Sequence, residues 1–194
     1  GYQAGFSNNG DQNSFFGYNA GYYNTTGSYN LYMGPYAGRG TILGSTANYN
    51  IMLGNYSGQS VTTGSYNSLA GFMSGRGLTS GTGNVFMGYQ AGYSSDTTSY
   101  NVFIGRESGY TNNGGTFNTF LGYKSGRGNT TGDRNIFMGY QAGTTNTTGS
   151  DNIYLGNAAG KMSNANNNVF LGTSAGIANT SGYSNIFMGN LWVF

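Results

Sequence analysis

Apolar residues along this chain fall into short runs at a fixed spacing. With Asn as position 0, eleven segments read Asn, three mainly apolar residues, Gly. They begin at Asn13, Asn30, Asn50, Asn67, Asn84, Asn101, Asn118, Asn135, Asn152, Asn168 and Asn185. The successive steps are 17, 20, 17, 17, 17, 17, 17, 17, 16 and 17, so one insertion and one deletion interrupt a 17-residue period. Position +4 is Gly throughout, from Gly17 to Gly189, and position +8 is Gly wherever the unit reaches it, from Gly21 to Gly176. Position +7 is always Ala or Ser, from Ala20 to Ala175, and a Gly near position +14 often follows a Thr pair, as in Thr130-Thr131-Gly132.

Runs of three or four apolar residues between glycines are too short for helices, and β-branched and aromatic residues fill them. Gly at fixed offsets supplies corners with positive φ. A fixed period of this kind marks a stacked-repeat architecture. The pattern therefore predicts an all-β fold: a β-solenoid of about eleven 17-residue coils without helices, each position stacked on its copy ~4.8 Å away. Residues 1–190 form one continuous repeat array, followed by an apolar C-terminal tail at 191–194. Asn side chains stacked at position 0 are suited to an amide ladder.

Strand side chains alternate between faces. Positions +1 and +3 (Val85 and Met87, Val102 and Ile104, Ile136 and Met138) are expected to fill the coil interior, with position +2 pointing outward. That outward stripe carries Phe15, Tyr32, Met52, Leu69, Phe86, Phe103, Phe120, Phe137, Tyr154, Phe170 and Phe187. Its aromatic members are the expected oligomer interface, since apolar patches above a few hundred Å² mark interaction sites. The inverted arrangement, rings inside and aliphatic residues outside, also leaves an exposed apolar stripe, so association is expected in both.

The array opens at Gly1-Tyr2-Gln3-Ala4-Gly5, matching positions +4 to +8, and its last unit is Asn185-Ile186-Phe187-Met188-Gly189, matching positions 0 to +4. Complementary part-units with open β-edges are expected to stack end to end. Gly1, Tyr2 and Ala4 would meet Ile186, Phe187 and Met188, with Leu191, Trp192 and Phe194 of the tail.

Composition narrows the chemistry. The chain has 37 Gly among 194 residues, and charged residues make up only 6%. There is no His and no Cys, which removes imidazole triads, thiol nucleophiles, disulfides and the usual zinc, haem and iron–sulfur sites. The five carboxylates, Asp11, Asp96, Glu107, Asp133 and Asp151, are scattered. No catalytic residue, cofactor site or metal site is assigned; Asp133 and Asp151 near one corner are sparse for Ca²⁺. A net charge of +2 argues against a nucleic-acid partner, and no run of about 20 apolar residues suggests membrane insertion. Asn24, Asn55, Asn129, Asn146 and Asn179 form N-x-S/T sequons, candidates for glycosylation.

The run Asn84-Val85-Phe86-Met87-Gly88-Tyr89-Gln90-Ala91-Gly92, with further copies at 118–126, 129–143 and 146–156, resembles YadA-type head repeats of trimeric autotransporter adhesins and repeats of bacteriophage tail fibres. The resemblance implies stacked β-coils, commonly in a three-chain bundle, serving as an extracellular stalk or adhesive head. The present unit is longer than the adhesin unit, and its position +2 is aromatic.

These features predict a non-enzymatic structural subunit of a self-assembling extracellular filament. It would be a secreted, mature form lacking its signal peptide, with copies of itself as partners. The alternative is a trimeric adhesin or tail-fibre segment that binds a surface receptor or glycan, with Tyr89, Tyr123 and Tyr140 at position +5 available to stack on sugars.

Overall fold

The computed structural model describes residues 1–190. The tail at 191–194 lies outside the described residues, and with it the expected end contacts of Leu191, Trp192 and Phe194. The architecture is a β-solenoid with one short strand per coil and no helix among the described residues. The strands are β1 (Ser14–Phe16), β2 (Leu31–Met33), β3 (Ile51–Leu53), β4 (Ser68–Ala70), β5 (Val85–Met87), β6 (Val102–Ile104), β7 (Thr119–Leu121), β8 (Ile136–Met138), β9 (Ile153–Leu155), β10 (Val169–Leu171) and β11 (Ile186–Met188). They form a single parallel sheet in sequence order.

Register follows the repeat phase, as in Phe103 opposite Phe120. The 20-residue step keeps the same phase, with Tyr32 opposite Met52. Its extra residues bulge out at 41–44, where Ile42 and Leu43 are 81% and 93% exposed.

The stacking extends far beyond the strands. Gly122 N–H donates to Ile104 O (2.8 Å), Lys124 N–H to Arg106 O (2.9 Å) and Gly126 N–H to Ala142 O (2.9 Å). Each coil thus bonds to the coil before it and the coil after it. Left-handed backbone recurs at positions −1 and +6 in residues other than Gly, such as Tyr100 (φ 59°) and Ala158 (φ 54°). Each such residue costs on the order of 1–2 kcal/mol, which inter-coil bonds such as Tyr100 N–H to Thr82 O (2.9 Å) help to offset.

The expected parity of the strand is reversed. Tyr32, Phe86, Phe103, Phe120, Phe137, Tyr154 and Phe170, assigned from sequence to an outward interface, are buried inside the coils. Phe15 packs against the same core, and Phe187, in the last coil, is 42% exposed. The cause is the Asn at position 0. Period-two alternation puts positions 0, +2 and +4 on one face, and the Asn must face inward.

Asn135 shows why. Its Nδ2 donates to Gly149 O (2.8 Å) across its own coil and to Asn118 Oδ1 (3.1 Å) in the preceding coil. Its Oδ1 accepts from the Asn152 backbone N–H (3.1 Å) and Nδ2 (3.0 Å). Both amide hydrogens and the carbonyl oxygen are thereby satisfied, which makes the burial of a polar side chain affordable.

The interior is one ring wide. Phe86, Phe103, Phe120, Phe137, Tyr154, Phe170 and Phe187 form an unbroken column with centroid separations of 4.6–4.9 Å. A Cβ added to Gly126 (φ 56°) would lie within the surface of the Phe120 ring. At Gly122 (φ 130°) it would lie 2.5 Å from Gly139 O in the next coil. The small residue at +7 closes the same space. Where it is Ser, its hydroxyl donates to the +2 carbonyl of the next coil, as Ser125 Oγ does to Phe137 O (2.7 Å).

Two outcomes follow for stability. Phe120→Ala removes a stacked ring from the column and is expected to cost about 3–5 kcal/mol. Phe120→Leu should cost less than half of that, since Leu69 occupies the same position in its coil; denaturant melts of both variants check the ranking. Burial pushes the Tyr154 phenol up to about 12, against a smaller opposing effect from hydrogen bonding to Ser163 and Asn168. The folded state therefore holds this proton where the unfolded chain releases it. Its contribution is complete below pH ~10 and is lost as pH rises from there to about 12, amounting to about 2–3 kcal/mol. Tyr154→Phe should flatten the loss of stability over that range, read from melts across alkaline pH.

A candidate interaction surface on the sheet face

With Asn and the rings turned inward, the other two strand residues of each coil face out. Position +1 carries Ile51, Val85, Val102, Ile136, Ile153 and Ile186 among others, and position +3 carries Phe16, Met33, Met87, Leu121, Met138 and Met188. Across eleven strands only Ser14, Ser68 and Thr119 interrupt this apolar surface. Ile51, Met33 and Met87 are between 44% and 47% exposed. The expected interior residues are thus the outer face.

Aromatic columns flank the strand on both sides in sequence. At position −1, Tyr29 stacks on Tyr49 (4.7 Å), Tyr49 on Tyr66 (5.0 Å) and Tyr100 on Phe117 (5.2 Å), all exposed. At position +5, Phe72 stacks on Tyr89 (5.6 Å) and Tyr123 on Tyr140 (5.2 Å). The +5 tyrosines are where the sequence placed them; the −1 column went unassigned, although Tyr or Phe before the Asn in five units signalled it.

At the ends of the array, Tyr2, Ile186 and Met188 are 67%, 71% and 74% exposed, Gly1 is exposed and Ala4 is half-buried. Phe187 and Met188 line a cleft of about 490 Å³.

Charge is segregated in a way the net value hides. Arg39, Arg76, Arg106, Lys124, Arg127 and Lys161 all fall at positions +5 to +9. Asp11, Asp96, Asp133 and Asp151 fall at positions +12 to +16, with Arg134 the one cation there. The rod therefore has a cationic edge and an acidic edge.

On the cationic edge, Glu107 accepts from Arg127 (2.9 Å) and Arg106 (3.2 Å), with Lys124 3.8 Å away. Burial pushes its carboxyl up, but these hydrogen bonds and charges outweigh that and hold it below the usual carboxylate range. On the acidic edge, hydrogen bonding to Arg134 (2.7 Å) lowers the Asp151 carboxyl despite some burial. Asp133 Oδ1 accepts from the Thr116 backbone N–H (2.6 Å) and hydroxyl (3.0 Å). The two carboxylates are thus engaged separately, and among the described residues no group of three or more carboxylates is placed to hold a metal ion.

The sequons divide. The side chains of Asn24, Asn129 and Asn146 are fully buried, with Nδ2 donating to Gly27 O, Gly132 O and Gly149 O at 2.8–3.0 Å. They form an interior amide column at position +11, held inside the folded coils. Asn179 makes the same bond to Gly182 O (2.8 Å) and is half-buried, as is Asn55.

Glu107→Gln should cost about 1 kcal/mol near neutral pH, the partners being partly screened by water. A carboxyl held low in the folded state contributes above its unfolded value and loses that contribution as pH falls through the folded one. The variant and the parent should therefore converge as pH falls through that lowered value, read from melts at several pH values. Comparison of the chain with family models, curated proteins and solved structures finds no match.

Proposed function

We propose that the chain is a non-enzymatic structural subunit, built to associate with copies of itself outside the cell in a filament. The observation that carries this reading is the apolar outer face of the sheet. Ten inter-strand steps of ~4.8 Å make it about 50 Å long, and the strand columns alone cover roughly 500 Å². The flanking aromatic columns bring it toward the ~800 Å² per partner of a standard protein interface. It carries no charge on the strands, so two copies can approach face to face without burying an unpaired ion.

End-to-end stacking is the second part of the proposal. It rests on the uniformity of the ladder: every coil presents the same register to the next, so coils of different chains can pair as coils of one chain do. The residues assigned to it are Gly1, Tyr2 and Ala4 at one end and Ile186, Phe187 and Met188 at the other. The engagement of Glu107, Asp133 and Asp151 by neighbouring groups supports a non-enzymatic role. The same apolar face also suits a three-chain bundle of the adhesin or tail-fibre kind, the second reading, in which three faces meet around an axis.

The outward direction of Ile136 and Ile153 provides a clean test, since each is less than two-fifths exposed yet points away from the core. Ile136→Lys with Ile153→Glu, opposite charges in adjacent coils so that neither repels the other, should strongly weaken self-association in sedimentation while shifting stability by less than about 1 kcal/mol. A parent chain that stays monomeric at high concentration would sink the proposal. A parent that forms closed trimers of fixed mass would favour the bundle over the filament.

A further inference from the structure

The one long coil breaks the repeat at a single place, and that place carries unmet hydrogen-bonding capacity. The extra residues at 41–44 project beside a cleft of about 370 Å³ lined by Tyr23, Arg39, Thr41, Gln59 and Arg76. A second cleft of about 230 Å³ shares Ser60 and Arg76 with it and continues to Tyr93. Together they form a trough spanning five coils, on the order of 20 Å long. Position +10 explains its floor: Gly40, Ser60, Gly77 and Ser94 are small in four successive coils, while Arg39, Gln59, Arg76 and Tyr93 at position +9 make its wall.

Among the described residues, neither Arg39 nor Arg76 has a carboxylate partner. Arg39 is held over the rings of Tyr23 (5.2 Å) and Tyr36 (5.9 Å), and its buried Nε has no hydrogen bond. The Thr41 hydroxyl, also buried, has none either. Arg76 donates from Nε to Gln59 Oε1 (2.9 Å) and from Nη1 to Tyr93 OH (2.6 Å), which fixes its plane. Two oriented guanidiniums two coils apart are therefore separated by ~10 Å.

We infer that this trough binds a linear acidic saccharide, with carboxylates of the sugar chain on Arg39 and Arg76 and ring hydroxyls against Gln59 and Ser60 between them. Planar guanidiniums pair with oxyanions through two parallel hydrogen bonds. Tyr23 backs the Arg39 guanidinium and Tyr93 that of Arg76, while Gln59 and Ser60 supply polar partners between the charges. A nucleic-acid strand, with a phosphate every ~3.4 Å, asks for a denser set of cations. A neutral sugar would leave both guanidiniums unpaired.

The test is calorimetric titration of the full chain with a galacturonate tetrasaccharide, a neutral galactose tetrasaccharide, sodium acetate and sodium sulfate. Saturable binding of the acidic saccharide is expected, with Arg39→Gln plus Arg76→Gln weakening it at least tenfold and the neutral sugar binding at least tenfold more weakly. Gln59→Glu is the second variant. It places a carboxylate between the two guanidiniums and should abolish binding while raising the melting temperature, so loss of binding cannot be blamed on unfolding. Absence of binding to the parent, equal affinity for the neutral sugar, or unchanged binding by the variants would each overturn the proposal. Acetate or sulfate binding as tightly as the tetrasaccharide would reduce the trough to a bare anion site and overturn it as well. If Gln59→Glu instead changes self-association and no saccharide binds, the cationic edge docks the acidic edge of another copy, and the inference falls.

Discussion

Every residue of this fold must tolerate its own counterpart ~4.8 Å away. Few side chains do. An amide does, because Asn135 can donate to Asn118 and accept from Asn152 at once. A ring does, because offset stacking at 4.6–4.9 Å is close to the coil rise. A charge does not: two like charges at that distance in water repel by about 1 kcal/mol. The scarcity of charged residues, 6% of the chain, follows directly. So does their placement. Gln59 separates Arg39 from Arg76 and Thr144 separates Arg127 from Lys161, whereas Glu107 stacks next to Lys124 and Arg134 next to Asp151. No like charges occupy one column in adjacent coils.

The same constraint accounts for what could be read in advance. Period, parallel pairing, glycine corners and coil count were legible, because a residue stacked on its copy must recur at the period of the coil. Parity was not, because hydrophobicity was the wrong guide to it. Positions +1 and +3 are richer in aliphatic residues than position 0, yet Asn takes the inside because its amide ladder closes only when shielded from water. Tying position +2 to that Asn by alternation would have turned Phe86 and Phe120 inward from the sequence alone. A second interior column was hidden in the Asn-Thr-Thr-Gly turns for a related reason: Asn129 and Asn146 are held by the carbonyls of Gly132 and Gly149.

Net charge concealed the edges. A value of +2 suggests an electrically bland rod, and the sum is correct. Stacking converts sequence position into angular position around the rod, however, so charges far apart in the chain line up by phase. Arg39 and Lys161 share one column although 122 residues separate them in sequence. A repeat protein has to be read by phase before its charge says anything about partners. The three-residue insertion illustrates the converse. Its length was plain in the 20-residue step, while its consequence, a trough with an unpaired guanidinium at its end, depends on small residues at position +10 in four separate coils.

The narrowness of the coil links core to surface. A three-residue strand bounded by Asn and Gly turns one side chain inward and two outward. The inner one can be no wider than a single ring, because the residues at +7 and +8 leave no more room. Burial inside the coil therefore uses only about a third of the strand's apolar residues. Enlarging the inner residue is blocked by Gly126 and its equivalents, whose added Cβ would enter the ring. Making the outer residues polar would leave the interior intact, since Ser68 and Thr119 already occupy position +1. That the other outer positions on the strands are almost all Val, Ile, Leu, Met or Phe is thus not required by the fold of one chain. It is a property of the surface, and it is the reason the proposed role is assigned to that face.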